Sequence, residues 1–170
     1  FAAMPGWRVL PSVVTFNATI SACEKCGEWK HTLILLEAMP TAEVQPNRIS
    51  YNAAISSCEK AGEWQRALSL FEVMNCTSLQ LDVITCNAVI SACEKGFCRK
   101  AALKVFEEMV QEQLQPNVIS CCAAISACER SGHWRQAFLL LATTLSDAES
   151  EVIAFNAALS ACERAVVLRR

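Results

Sequence analysis

The chain has 170 residues, 53% of them hydrophobic, and a formal net charge of −2 at pH 7. That balance argues against a strongly basic nucleic-acid binder, although a local stripe of cations matters more than the sum. The apolar content is enough for a packed core, and no window approaches the roughly 18 uncharged apolar residues of a membrane span.

Eleven cysteines are present, and five of them recur at one position of an internal repeat. These five are Cys23, Cys58, Cys93, Cys128 and Cys162. Equivalent positions in stacked repeats lie about a helix diameter apart, roughly 10 Å, which is too far for a disulfide. The pattern therefore predicts small apolar packing residues and a reducing compartment.

One string, which runs from Asn52 to Trp64 in its second copy, organises the chain. Its copies open at residues 17, 52, 87, 122 and 156, so the period is 35, 35, 35 and 34 residues. Self-similarity at a fixed period of this size is typical of a repeat array. A single two-helix unit cannot bury its apolar faces, so stacked units are expected to share one continuous core.

The predicted units follow in chain order. They are the end of a preceding unit at 1–12, full units at 13–47, 48–82, 83–117 and 118–151, and a partial fifth unit at 152–170. In the first full unit, Val13-Val14 is expected to be extended and Thr15 to cap the first helix, helix A. Ser50, Thr85 and Ser120 are expected to cap helix A in the later units. Gly27 is expected to end helix A. The second helix, helix B, is expected to run to about Met39.

Two later units depart from this pattern. In the third unit Gly96 comes one residue early and Arg99 replaces the tryptophan, so the turn is expected to be broken and helix B to span 101–109. The fourth unit restores Gly132 and Trp134. Its final loop is one residue short.

Several motifs recur in phase: a Val-x-Thr-Phe/Tyr-Asn opening, a Gly turn, an Ala-Leu-x-Leu-Phe-x-x-Met second helix and a Pro-Asn/Asp ending. Together with the period they resemble the pentatricopeptide repeat family over nearly the whole chain. The resemblance implies an all-α fold, a right-handed superhelical α-solenoid of antiparallel helix pairs. It also implies a sequence-selective binder of single-stranded RNA, in organellar RNA processing, editing, stability or translation, within a mitochondrion or chloroplast.

The polar residues of helix A are expected to line a groove. Asn17, Ser21, Glu24 and Lys25 are spaced i, i+4, i+7 and i+8, which places them on one face. The same set recurs as Asn52, Ser56, Glu59 and Lys60, and again as Asn87, Ser91, Glu94 and Lys95.

By the resemblance, each unit reads one base with the Asn that opens helix A and the residue that ends the unit. The pairs are Asn17 with Asn47, Asn52 with Asp82, and Asn87 with Asn117. The family's pattern implies uracil for Asn–Asp and a pyrimidine for Asn–Asn, so the predicted target core is pyrimidine-U-pyrimidine, read 5′ to 3′. The fourth pair, Cys122 with Glu151, departs from the pattern, and Asn156 has no partner before the chain ends.

Two further roles follow from the resemblance. The residues expected to sandwich the bases are Val14, Ile49, Ile84, Ile119 and Ile153. Those expected to face phosphates are Lys25, Lys60, Lys95, Arg130 and Arg164. Each cation follows a Glu that is expected to lie on nearly the same face and to cancel part of its charge. Weak, strongly salt-dependent binding is expected as a result.

Plainer interpretations stay open for several of these residues. The Asn stripe could be a helix-start feature, and the Glu-Lys pairs could be a solvated face. The tryptophans at the start of helix B are expected to pack rather than to stack on bases. Cys23-x-x-Cys26 has no second pair at zinc spacing, so neither a metal nor another cofactor is expected.

Functions other than RNA binding have their own signals. The sequence contains no nucleophile–base pair, carboxylate dyad or phosphate-cradling Gly loop, so no enzyme is expected within these residues. The main alternative is a protein-binding helical-repeat scaffold, which the acidic balance favours. A third possibility is the targeting arm of an enzyme whose catalytic domain lies beyond Arg170. No membrane partner is expected.

Overall fold

The computed structural model of the protein describes residues 11–77 and 79–130. Those residues form seven α-helices joined by short turns and loops. The helices are α1 Val13–Lys25, α2 Trp29–Thr41, α3 Arg48–Ala61, α4 Trp64–Cys76, α5 Val83–Lys95, α6 Arg99–Gln111 and α7 Val118–Arg130. Within the described part, none of them is long and apolar enough to cross a membrane.

The helices pack as repeated pairs, which confirms the all-α repeat fold. The odd-numbered helices are the A helices, and each packs against the next A helix along the chain. Helices α2, α4 and α6 are the B helices, and each lies between the A helix of its own unit and the A helix of the next. The A helices begin 35 residues apart, where the units were predicted to begin, while the unit boundaries themselves stay a prediction.

The core is a seam that repeats with the same period as the sequence. Its fully buried residues include, at matching positions, Ile20, Ile55, Ile90 and Ile125 from the A helices, and Met39, Met74 and Met109 from the B helices. The B helices also bury phenylalanines at positions 71 and 106. Since every unit presents the same apolar face, each unit covers its neighbour, as expected for stacked repeats.

The recurrent cysteines belong to this seam. Cys58, Cys93 and Cys128 are fully buried, Cys23 at the start of the described stack is half-buried, and Cys162 lies outside the described residues. All ten cysteines of the described part are free thiols. Burial raises the pKa of the Cys58 thiol to about 11 and that of Cys93 to about 12. These thiols therefore stay protonated and act as small apolar side chains.

The starts of the A helices correct one prediction. Val13-Val14 is not extended but forms the first turn of α1, and the N-cap is Ser12 rather than Thr15. The Ser12 hydroxyl accepts the Thr15 N–H at 3.3 Å, and the Thr15 hydroxyl accepts the Ser12 N–H at 2.8 Å. Because both side chains take part in this reciprocal bonding, the helix begins a turn earlier than a cap at Thr15 would allow.

The turn between helices A and B is kept in the third unit, contrary to the prediction. Gly27 and Gly62 adopt positive φ angles of 74° and 76°. In the third unit Phe97 takes the same left-handed position at φ 56°. Gly96 has an ordinary φ of −80°. Glycine suits position 96 for a steric reason and not for its φ angle, because a Cβ there would overlap the indole ring of Trp64.

Two B helices are longer than predicted. Helix α6 spans Arg99–Gln111 rather than 101–109, and α2 continues through Pro40 to Thr41. The features predicted for residues 1–10 and 131–170 lie outside the described residues. Among them are Gly132, Trp134, Glu151, Ile153, Asn156 and Arg164.

Candidate nucleic-acid interface

The three predicted base-reading pairs that lie within the described residues are each joined by a side-chain hydrogen bond. In every case the amide Nδ2 of the helix A asparagine donates to the residue that precedes the next A helix. The bonds run from Asn17 to Asn47 at 3.2 Å, from Asn52 to Asp82 at 3.2 Å and from Asn87 to Asn117 at 3.1 Å. The members are 30 residues apart in sequence, so it is the stacking of A helices that brings them together.

The second member of each pair also caps the next A helix. Asn47 Oδ1 accepts the Ser50 N–H at 3.1 Å, and Asp82 Oδ1 accepts the Thr85 N–H at 2.8 Å. Asn117 accepts the Ser120 N–H in the same way at 3.1 Å. Sequence reasoning missed this role because it assigned the cap to the hydroxyl residue three positions later. The signal is the Asn/Asp-x-x-Ser/Thr spacing at each unit boundary.

A hydroxyl group completes the first two pairs. Ser50 Oγ donates to Asn17 Oδ1 at 2.6 Å, and Thr85 Oγ1 donates to Asn52 Oδ1. The third pair differs, because the buried Oδ1 of Asn87 has no hydrogen-bond partner within the described residues. In the third pair the amide oxygen of Asn87 is therefore left as an acceptor, whereas in the first two pairs the equivalent oxygen already accepts a hydroxyl group.

The Asp82 carboxylate is the one charged member of these pairs. Burial alone would raise its pKa, but hydrogen bonds from Thr85 and Asn52 and the nearby Arg48 charge outweigh burial, so the pKa is lowered. Arg48 Nε lies 3.4 Å from Asp82 Oδ2. The carboxylate is consequently ionised at neutral pH and offers acceptors only.

Exposed apolar side chains alternate with the polar pairs. Val14, Ile49, Ile84 and Ile119 occupy the second residue of successive A helices and are 75%, 58%, 70% and 62% exposed. A single exposed aliphatic residue is ordinary on a protein surface. Four at one phase form a regular row with nothing from the described residues covering them.

The periodic glutamates bond across units, which corrects the expectation that each neutralises the cation next to it in sequence. Glu24 Oε1 accepts from Ser56 Oγ at 2.8 Å and from Lys60 Nζ at 2.8 Å. Glu59 does the same with Ser91 and Lys95. We call this arrangement the Ser–Glu–Lys clamp. Adjacent residues on a helix do not face each other, so Glu59 turns toward the next unit and away from Lys60.

The remaining candidates do not join this surface. Trp64 is half-buried and packs against the core, as predicted, and Lys30 lies 5.6 Å from the centre of the Trp29 ring. In the part of the chain that the structure describes, no group of three or more His, Cys, Asp or Glu side chains is placed to hold a metal ion.

Three family models match the chain. A "Pentatricopeptide repeat domain" matches residues 69–130, a "PPR repeat family" matches 11–60, and a "PPR repeat" matches 49–76. Together they follow the helix pairs from 11 to 130. The chain belongs to the pentatricopeptide repeat family. A search of curated proteins gave no significant sequence match.

Solved pentatricopeptide repeat structures have the same fold. The chain superposes on PPR10 from maize with a TM-score of 0.71 at 19% identity, covering 91% of this chain and 21% of that one. It superposes on PPR10 in complex with an 18-nt psaJ RNA element with a TM-score of 0.67 at 19% identity, covering 87% and 21%. The chain thus spans about a fifth of PPR10.

A third match is of similar length to this chain. It is the PPR domain of Arabidopsis thaliana protein-only RNase P 1 in complex with tRNA, with a TM-score of 0.71 at 18% identity, covering 92% of this chain and 90% of that one. At such identities these likenesses show the fold alone.

Proposed function

We propose that this pentatricopeptide repeat array binds single-stranded RNA and selects one base per unit. The observation that carries the proposal is the alternation of a polar pair and an exposed aliphatic side chain with the period of the units. The aliphatic row supplies apolar faces against which flat bases can lie, and the polar pairs supply donors and acceptors for their edges. The family is known for RNA binding, and two of the structural neighbours were solved with RNA.

The base preferences follow the chemistry of the three pairs. The Asn52–Asp82 pair is proposed to select uracil, because Asp82 offers only acceptors and uracil presents an N3–H donor. The Asn–Asn pairs of the first and third units are proposed to accept either pyrimidine. The proposed target core is pyrimidine-U-pyrimidine, with Val14, Ile49, Ile84 and Ile119 between the bases.

The phosphate contacts are proposed to be weak. Lys25 is exposed, but the Lys60 and Lys95 side chains are only 48% exposed and form ion pairs in the clamp. The same ion pairs favour the second candidate function, a protein-binding scaffold, because they reduce the cationic character of the groove. We further propose an organelle as the site of action, since the family is organellar in plants; the organelle is a mitochondrion or chloroplast.

Filter binding with short RNAs tests the proposal. We expect the wild-type chain to bind pyrimidine-U-pyrimidine more tightly than a purine RNA of equal length, with affinity falling as salt rises. We expect Asp82→Asn to reduce the preference for uracil over cytosine in the second position about tenfold, equivalent to about 1.4 kcal/mol. An asparagine at position 82 would cap α5 and bond to Asn52 as Asn47 and Asn117 already do in their own units. The fold is therefore expected to be preserved.

Two results would count against RNA selection. Equal affinity for pyrimidine and purine RNA would remove the base preference. No binding even at low salt would favour the protein-binding scaffold instead, and Asn52→Ala should then abolish capture of a protein partner.

Releasing the clamp lysines is expected to strengthen RNA binding. In the double variant Glu24→Gln, Glu59→Gln the serine hydrogen bonds can persist, while Lys60 and Lys95 lose their counter-charges. If both cations then meet phosphates, the slope of log affinity against log salt steepens by about 0.7 for each. The measurement is a salt titration of RNA affinity.

A matched control separates this local effect from net charge. Glu72 and Glu107 are exposed on the B helices, so Glu72→Gln, Glu107→Gln removes the same charge away from the clamp. An equal gain in both double variants would mean that overall charge, rather than release of the clamp lysines, sets the affinity.

A further inference from the structure

One A helix begins with a cation where the others begin with valine. Arg48 is the first residue of α3, and Val13, Val83 and Val118 take that place in α1, α5 and α7. Arg48 is thus the feature that distinguishes the second unit from its described neighbours at the start of helix A. The second unit is also the one whose polar pair contains a carboxylate.

Arg48 lies beside that carboxylate without saturating it. Its Nε is 3.4 Å from Asp82 Oδ2, longer than the roughly 2.7–2.9 Å of a charge-assisted hydrogen bond. Asp82 Oδ1 already accepts the Thr85 N–H at 2.8 Å and lies 2.8 Å from the Thr85 hydroxyl oxygen, whose proton goes to Asn52 Oδ1. Oδ2 receives the Asn52 amide at 3.2 Å. Because Thr85 crowds Oδ1 and the contacts of Oδ2 are longer, the oxygen open to a further donor is Oδ2, the one next to the guanidinium group.

Arg48 also borders an open cleft. The cleft has a volume of about 350 Å³, within the range of roughly 300–1,000 Å³ of small-molecule sites. It is lined by Asn47, Arg48, Ile49, Leu79 and Gln80. The Arg48 side chain is 49% exposed, and the Asp82 side chain beside it is 24% exposed, so a group in the cleft that contacts Arg48 lies close to Asp82 as well.

We propose that Arg48 is a third base-reading residue of the second unit, donating to the C4 carbonyl oxygen of the uracil whose N3–H is accepted by Asp82. This inference rests on the proposed RNA-binding function. Uracil carries an N3–H between two carbonyl oxygens, so an acceptor next to a donor matches its edge. Cytosine presents a lone pair at N3 and an amine at C4, which would face the Asp82 carboxylate and the guanidinium group respectively with the wrong polarity.

The guanidinium group suits this role better than an ammonium group would. It is planar, carries five N–H donors in a fixed arrangement, and can bond Asp82 and a carbonyl oxygen at once. In the first and third units valine offers no donor at this position. Of the three units with a described polar pair, the second is therefore expected to discriminate most strongly between bases.

The test is Arg48→Val in the whole chain, which installs the residue that the other A helices carry. Affinities are measured by filter binding for two RNAs that differ only by uracil or cytosine opposite the second unit, across a salt series. We expect the uracil-to-cytosine preference to fall about tenfold, mostly through weaker binding of the uracil RNA. Arg66→Val, which removes an exposed cation from α4, should leave the preference unchanged.

Failure of the Arg48 inference and failure of the proposed RNA binding give different results. If Arg48 contacted only a phosphate, Arg48→Val would weaken both RNAs equally and reduce the salt slope by about 0.7, and the inference would be overturned while RNA binding stood. If the wild-type chain bound neither RNA, the proposed function would fail and this inference with it. Arg48→Lys should keep the salt slope of the wild-type chain but only part of its uracil preference, which a purely structural role of Arg48 would not produce.

Discussion

Replacing Phe71 by alanine is expected to lower the free energy of unfolding by about 3–5 kcal/mol. Phe71 lies on α4, is 1% exposed, and belongs to the same core cluster as Ile55 and Met74. Truncation removes its apolar contacts and leaves a cavity between units, because neighbouring helices relax only partly. Urea unfolding followed by circular dichroism measures the loss.

Phe71→Leu is the matched control for this substitution. Leucine occurs naturally at the equivalent place in α2, where Leu36 is 6% exposed. The leucine variant should therefore lose clearly less stability than Phe71→Ala. Similar losses in both variants would mean that the aromatic ring itself, rather than filled volume, holds α4 in the stack.

A second large effect is expected from Gly96→Ala. The added Cβ would overlap Cγ and Cδ1 of Trp64, atoms at the base of the ring, so the whole indole group must shift. Overpacking of this kind costs about 1–3 kcal/mol. The backbone at Gly96 has φ −80°, which alanine adopts without strain. The reduced free energy of unfolding is therefore attributed to the contact with Trp64.

A double-mutant cycle checks that attribution. In a Trp64→Ala background the space beside Gly96 is empty, so Gly96→Ala should cost little or become slightly stabilising. Gly62→Ala gives a contrast, since nothing lies within 4 Å of its Cβ but its φ is +76°. Its cost should persist in the Trp64→Ala background. An undiminished cost of Gly96→Ala there would refute the proposed overlap.

The sequence predicted the parts of the fold that depend on period. The recurrence of Ile55 and Met74 every 35 residues gives the helix pairs and the buried seam, since a repeated apolar face can be covered only by its neighbours. The family resemblance paired Asn52 with Asp82, and the structure places the two in contact. Their roles in reading a base stay predictions.

The predictions that were wrong concern contacts that depend on the geometry between helices. Whether Glu59 meets Lys60 or Lys95 is decided by the spacing of consecutive A helices, which sequence spacing does not contain. The helix caps were misplaced for a related reason. A capping box uses side chains at both of its ends, so Asn47 and Ser50 each resemble the cap, and only the backbone decides between them.

The double duty of the capping residues limits how such an array can change its target. To alter its proposed base preference at Asn47, Asp82 or Asn117, a unit needs a residue whose side chain also caps a helix, and these are few: Asn, Asp, Ser and Thr. Any other side chain would change the proposed base preference and at the same time remove the side-chain cap of the next A helix. The requirement to fold therefore limits the set of RNA targets that this proposed mode of recognition allows.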